Sequence, residues 1–514
     1  MKLEKNKTLT YAAFGVISVF ICGCVSSEKY YKDVTMSREA AYQQWKNQKE
    51  QEVKSEVVIS GQLSIEDALK LTLVNNKILQ SIAQEKEIAR GGEIASYSAI
   101  LPSVLISADY VRKDKVASLG PITFGDVDNY STSLMVRQPI FAGGAIKGTI
   151  NAARLFSLLT DQNIRTVVQE VIYLGQNAYY SVLLNQHLME ISTDAVRSSQ
   201  AHLDSVKQKR LNGVASDFDV VRAEVELSNF QAELIQNKNA INIARANLLK
   251  IMGVSQDSDI TLSDELVYVP VNFTMEDVVQ KAYSSRPDLL TRELDIKYQK
   301  ELLDISNSRY WPTVSAYYER MRSKPDPHNG TIIDWGNLWS AGVTAAFPIF
   351  DGFAREGEVI QQKARLKQSQ IRLIDSEETT IFQLNKALLS IQNAVEFVES
   401  QKLNLTRATE GLRLAEVGYD EGINTQVEMI DAQSALTEAR SNYYQSIYNH
   451  IIAKLDLHKA MGTLVVPETG TKENSENQAA SEVPAVLPQI SSAGSGTEII
   501  NNNTKKDNEN FLMN

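Results

Sequence analysis

The stretch Gln138-Pro-Ile-Phe-Ala-Gly-Gly144 constrains this chain more than any other. Two short runs of period-2 alternation precede it and a helix-period pattern of about 70 residues follows, so strand must hand over to helix here. Proline loses a hydrogen bond inside either regular element, which marks Pro139 as the joint. The joint recurs as Phe347-Pro-Ile-Phe-Asp-Gly352, and Pro139 and Pro348 stand 209 positions apart.

Other landmarks keep that offset. Ser64-Ile-Glu-Asp67 and Thr274-Met-Glu-Asp277 are capping boxes that open helices, 210 apart. Pro102 and Pro312 end those helices at the same offset. Gly213 and Gly422 break the long helical patterns, and Ser216-Asp-Phe-Asp219 and Thr425-Gln-Val-Glu428 open return helices that close at Met252-Gly253 and Met461-Gly462. The spacing predicts two tandem copies of helix, strand pair, long helix, tip and short helix. The first copy is placed at 61–253 and the second at 273–462, with an irregular linker at 254–272. The first helix of the first copy is expected to run to about Ser98, with Gly91-Gly92 its weak point. An extended or partly helical arm is expected at 24–60, a loop at 120–128, and a disordered tail, rich in Asn, Ser, Glu, Thr and Gly, at 463–514.

The long helices are expected from Gly144 to Leu211 and from Phe353 to Asp420. Each spans roughly 100 Å, and no compact domain holds such a helix. Ile164, Val168, Val171, Gly175, Ala178 and Val182 step by four and three, a coiled-coil seam. The strands are placed at about 104–114, 129–138, 313–323 and 338–347. Each has about ten residues, the length of a tilted transmembrane strand. Four strands leave open edges, which cannot face lipid, so several chains must share one barrel. Two chains give eight strands and a filled interior; three give twelve and room for a pore. The fold class is therefore mainly α with transmembrane β: a trimeric twelve-stranded barrel continued by a long α-helical coiled-coil tunnel.

Leu9–Ile21 is the longest apolar run, and its 13 residues are too few to span a bilayer as a helix. With Lys2, Lys5 and Lys7 ahead of it, it reads as an export signal over 1–23. The small residue Gly23 directly before Cys24 resembles the lipobox of bacterial lipoproteins, which implies acylation of Cys24. Val25 rather than aspartate follows, as in lipoproteins sorted to the outer membrane. The alternative is an ordinary signal peptide with an incidental cysteine.

The duplicated order, the two Pro-Ile-Phe-x-Gly joints and the tips Asn-Gly-Val-Ala-Ser-Asp-Phe-Asp-Val and Glu-Gly-Ile-Asn-Thr-Gln-Val-Glu-Met together resemble the TolC-like outer-membrane efflux proteins, over about residues 61–462. With the lipobox the chain is similar to the lipoprotein branch. The resemblance implies a homotrimeric exit duct in the outer membrane that extends into the periplasm. Its partners would be a periplasmic adaptor and an inner-membrane pump. It also implies an adaptor-docking surface at Gly213, Val214, Ser216, Asp219, Gly422, Ile423 and Thr425, and a periplasmic aperture marked by Glu428, Asp431 and Tyr419. Three copies of Glu428 and Asp431 would ring the aperture with carboxylates and favour cations. Each role has a structural counterpart. The glycines are needed for the turns, Glu428 completes a capping box with Thr425, and Tyr419 packs a helix. Asn424 stands where a basic latch partner is expected, so a charged latch does not follow.

The net charge of -11 argues against nucleic acid as a partner. His187, His202, His328, His450 and His458 are scattered without ligand spacing, so neither a metal nor a cofactor is expected. No catalytic constellation stands out, which points away from an enzyme. The competing reading is a lipid-anchored periplasmic coiled-coil adaptor or scaffold, which would not need the alternating strands.

Overall fold

The computed structural model describes residues 27–50 and 59–464. The export signal, Cys24 and the tail beyond Leu464 lie outside the described residues. The elements run α1 (Ser27–Glu50), β1 (Ser60–Leu63), α2 (Ile65–Asn75), α3 (Lys77–Ser96), β2 (Ser103–Arg112), β3 (Ala117–Leu119), β4 (Ile122–Phe124) and β5 (Asp128–Ala142). Then follow α4 (Ala145–Leu211), α5 (Asp217–Met252), β6 (Asp259–Leu262), α6 (Met275–Ser285), α7 (Pro287–Ser308), β7 (Thr313–Lys324), β8 (Gly336–Ala346), α8 (Ala354–Asp420) and α9 (Gln426–Met461).

Both long helices have 67 residues and both return helices 36. The long α4 packs against α5 toward the tip and against α3 and α7 toward the sheet, while α8 packs against α9 and α7. Of the seam on α4, Ile164, Val171, Gly175, Ala178 and Val182 are buried. At Gly175 an added Cβ would stand 2.9 Å from Leu69 Cδ2, so the glycine lets α2 close on α4. The core is duplicated with the chain. Leu248 and Met252 sit in one cluster with Leu63, Tyr179 and Val182, and Leu457 and Met461 in a second with Val278, Leu384 and Ile391.

The first helix is not continuous. It breaks at Asn76, while Gly91 and Gly92 lie inside α3. Asn76 leaves the helix at ψ 127°, and its side-chain oxygen caps α3 by accepting from the Ile78 N–H (2.9 Å) and the Leu79 N–H (3.2 Å). Its Nδ2 donates to the Ile251 carbonyl at 2.7 Å, at the end of α5. The second copy breaks 210 positions later at Arg286-Pro287, with proline at the first helical position. Here the Arg286 guanidinium donates to the Ala460 carbonyl (2.9 Å) and Gln383 Oε1 (2.9 Å) and pairs with Asp288 (2.7 Å). One joint is thus built twice from different side chains.

The expected linker holds β6, which pairs in parallel with β1 at the border of the arm. Tyr179 ties this patch to α4: its hydroxyl reaches both the Leu63 carbonyl and the Asp264 carboxylate, and burial pushes its pKa well up. The expected loop at 120–128 holds β4, which pairs with β3 just ahead of the loop as a short hairpin about Gly120 at φ 61°. Residues 27–50 of the arm are helical. The packed chain extends to Leu464, buried beside Leu69, Ile172 and Leu455.

The main sheet is antiparallel in the order β2-β5-β7-β8, so β2 and β8 are its open edges. Its register separates two faces. Ile106, Leu134, Arg320 and Trp339 share one, with Val104, Val136, Tyr318 and Ala341 in the next row; Ser107, Ser133 and Met321 share the other. The joint also differs from expectation, because β5 continues through Pro139 to Ala142 with a bulge between Pro139 and Phe141. Pairing with β2 has ended at Arg137, so the missing proline N–H interrupts no ladder on that side. In the second copy the strand stops at Ala346, before Pro348.

Candidate functional site at the helical tips

Both tips are built from the same local chemistry. At the first, Gly213 takes φ 75°; its N–H donates to the Arg210 carbonyl, and the Val214 N–H to the Lys209 carbonyl (both 2.9 Å). At the second, Gly422 takes φ 74°; its N–H donates to the Tyr419 carbonyl (3.2 Å), and the Ile423 N–H to the Gly418 carbonyl (2.7 Å). These pairs close both long helices in the same left-handed cap, which only glycine adopts without strain. Three residues past each glycine, Ser216 and Thr425 open the return helices with complete capping boxes.

The boxes account for two of the candidate acids. Asp219 accepts from the Ser216 N–H (2.8 Å) and hydroxyl (2.7 Å), and Glu428 from the Thr425 N–H (2.7 Å) and hydroxyl (3.0 Å). The backbone donor first, and then the hydroxyl, hold each carboxyl below its usual range. Both remain ionised; Glu428 is exposed and Asp219 half-buried. Asp431 lies one turn further along α9, is exposed, and has no ion pair or hydrogen bond among the described residues. Val214 (78 % exposed) and Ile423 (81 %) project from the turns, and Phe218 is exposed beside the first. The turns therefore present apolar side chains to solvent, with acids just behind them.

Tyr419 does not face open solvent. It is half-buried between the two coils, 5.5 Å from the His202 ring and under Lys209 Nζ at 3.9 Å. Burial, and then Asp219 and Asp420, raise its pKa. Lys209 also pairs with Asp420 at 3.4 Å. Below them Gln426, itself buried, donates from Nε2 to the Asp219 carbonyl at 2.9 Å. Burial and the Lys209 charge push His202 down, Asp420 opposing. Lys209, His202 and Gln426 thus bolt the second tip to the first. Sequence reasoning missed them because the repeat gives no clue: Lys209 aligns with Gly418. Asn424 packs its amide over Gly418, where a Cβ would clash at 2.4 Å, so it is a turn residue.

Among the described residues no group of three His, Cys, Asp or Glu side chains is placed to hold a metal ion. No described helix is long and apolar enough to cross a membrane.

Comparison with known proteins agrees with this geometry. The chain is 22% identical over 440 residues to the alkaline protease secretion protein AprF of Pseudomonas aeruginosa, covering 82% of this chain and 89% of that one. It is 21% identical to the outer membrane protein TolC of Vibrio cholerae, covering 76% and 88%. It is 22% identical to the cobalt-zinc-cadmium resistance protein CzcC of Cupriavidus metallidurans, covering 75% and 86%. Among solved structures, the CmeC outer membrane channel of Campylobacter jejuni superposes with a TM-score of 0.69 at 15% identity, covering 78% of this chain and 85% of that one. The outer membrane protein VceC of Vibrio cholerae gives 0.68 at 14%, covering 77% and 96%. The model of the family described as outer membrane efflux protein matches residues 68–254 and 278–463, one match to each copy, and the chain belongs to that family.

Proposed function

We infer that this chain is the outer-membrane exit duct of a tripartite export system, passing cargo from a periplasmic adaptor and inner-membrane pump to the outside. One observation carries the reading. A four-stranded antiparallel sheet with one apolar face and two unpaired edges is joined, twice, to helices roughly 100 Å long. Such a sheet is stable in lipid only when its edges are closed. Three chains supply twelve strands, enough for an open lumen, and their helices extend the lumen as a tunnel. The family consists of channel proteins rather than enzymes. A lipid-anchored scaffold has no use for the sheet.

The finer roles rest on the tip geometry. The exposed Val214, Phe218 and Ile423, carried on turns set by Gly213, Ser216, Gly422 and Thr425, form the adaptor-docking surface. Asp431, unpaired among the described residues, and Glu428 beside it supply a carboxylate ring at the aperture, and Tyr419 holds the coils together there. Acylation of Cys24 would add a lipid anchor to the barrel. Cysteines placed singly on β2 and β8 test the closure. Oxidation should join neighbouring chains into a covalent trimer, whereas bonds confined to one chain, or none, would refute the shared barrel.

A further inference from the structure

The apolar face of the sheet changes character partway up. From joint to loop end, β7 presents Val314, Ala316, Tyr318, Arg320, Arg322 and Lys324 on that one face. The register sets Arg320 between Leu134 and Trp339, and Lys324 beside Tyr130. Arg320 and Arg322 are exposed. Among the described residues no carboxylate pairs with any of the three cations, whereas Arg112 on the same face is paired with Asp128 at 3.3 Å. The Arg322 guanidinium lies 5.2 Å from the Trp335 ring centre, and Trp335 lies 6.4 Å from the Tyr130 ring.

Six residues separate Val314 from Arg320, about 20 Å along a strand and about 15 Å of height at barrel tilt. A barrel's lipid-facing band is about 25 Å tall and ends in an aromatic girdle, so the row begins in the upper part of the band and rises through the girdle. Cations on the lipid face are costly near the midplane and tolerated near the surface, where long side chains reach the headgroups. Among the described residues no acid neutralises the row, which leaves the membrane as the source of its counter-charge.

Resting on the duct reading, we propose that Arg320, Arg322 and Lys324 form an outward-facing docking row for the phosphate groups of phosphorylated lipid in the outer leaflet. Guanidinium groups donate to phosphate oxygens in pairs, and Trp335 and Tyr130 offer flat surfaces for the carbons of the headgroup. A trimer carries three such rows around its rim.

The test uses the full-length trimer in nanodiscs of phosphatidylcholine doped with a diphosphorylated glucosamine lipid or with the same lipid dephosphorylated. Insertion is read first, from conductance in planar bilayers of the same composition. Lipid retained through detergent exchange is then counted by native mass spectrometry. The parent should retain the phosphorylated lipid preferentially. The preference should fall about fivefold per cation removed in the series R320Q, R322Q and K324Q. The pair R320K and R322K should keep most of it, and heat-sensitive trimer on gels shows that each variant folds. Equal retention of both lipids by an inserted parent, or by parent and triple variant alike, would overturn the proposal while leaving the duct intact. A parent that never inserts would overturn both. Retention that tracks free inorganic phosphate competition but not lipid would also overturn it, because the row would then be a soluble-anion site.

Discussion

Replacing Lys209 by alanine should loosen the contact between the two tips of each chain. In the structure the ammonium is 3.9 Å from the Tyr419 ring centre and 3.4 Å from Asp420. The cation–π contact at a partly exposed site is worth about 0.5–1 kcal/mol. The ion pair, with Asp420 largely in solvent, adds at most about 1 kcal/mol. The two together give roughly 1–2 kcal/mol per protomer. If the three second coils swing outward together, the trimer loses about 3–6 kcal/mol, a shift on the order of 10²–10⁴-fold in the closed-to-open ratio. Single-channel recordings in planar bilayers read this ratio directly. K209A should open far more often, and raised salt should open the parent in the same direction by screening the ion pair. K209R should behave like the parent. If K209A and Tyr419→Leu both gate as the parent does, the tip contacts do not hold the aperture and the reasoning fails.

Three further outcomes follow from other parts of the molecule. R286A should destabilise the chain by about 2–4 kcal/mol, because it leaves the Ala460 carbonyl and the half-buried Asp288 without their donor; thermal unfolding of the helical signal should fall by several degrees, and an unchanged midpoint would contradict this. Burial, and then Lys454, push His450 and His458 below the usual range, so unfolding takes up protons; stability is full above about pH 6.5 and is lost as pH falls below it. His450 is 1 % exposed with both ring nitrogens unpaired, so His450→Phe should flatten that slope, and a slope as steep as the parent's would place the sensitivity elsewhere. D431N should lower cation preference in conductance more than E428Q does, since Glu428 is tied to its cap and Asp431 has no pair among the described residues; equal, negligible effects would remove the carboxylate ring.

Much of the fold was legible because its signals are local. A glycine at φ near 75° and a Ser or Thr three residues before an acid mark each tip, whatever the rest of the chain does. The joints and the repeat follow from proline's missing donor at Pro139 and Pro348. What escaped depends on distant partners. Asn76 breaks its helix because its amide finds the Ile251 carbonyl, 175 residues away. The β1–β6 pairing joins segments separated by about two hundred residues, too short to show as strands by alternation. At the tips the caps were visible but the bolt was not: Lys209 and Gln426 lie on different copies, and no spacing links them. Glu428 shows the converse case, in which the carboxylate is fully legible because the local motif that revealed it also fixes its partners.

The size of the particle released from outer membranes by mild detergent tests the central claim most directly. A heat-sensitive trimer that requires detergent, and that conducts ions when added to a planar bilayer, is the predicted result. A monomer or dimer released without detergent, or from a Cys24→Ser chain that can carry no lipid there, would mean that the strands never cross a bilayer.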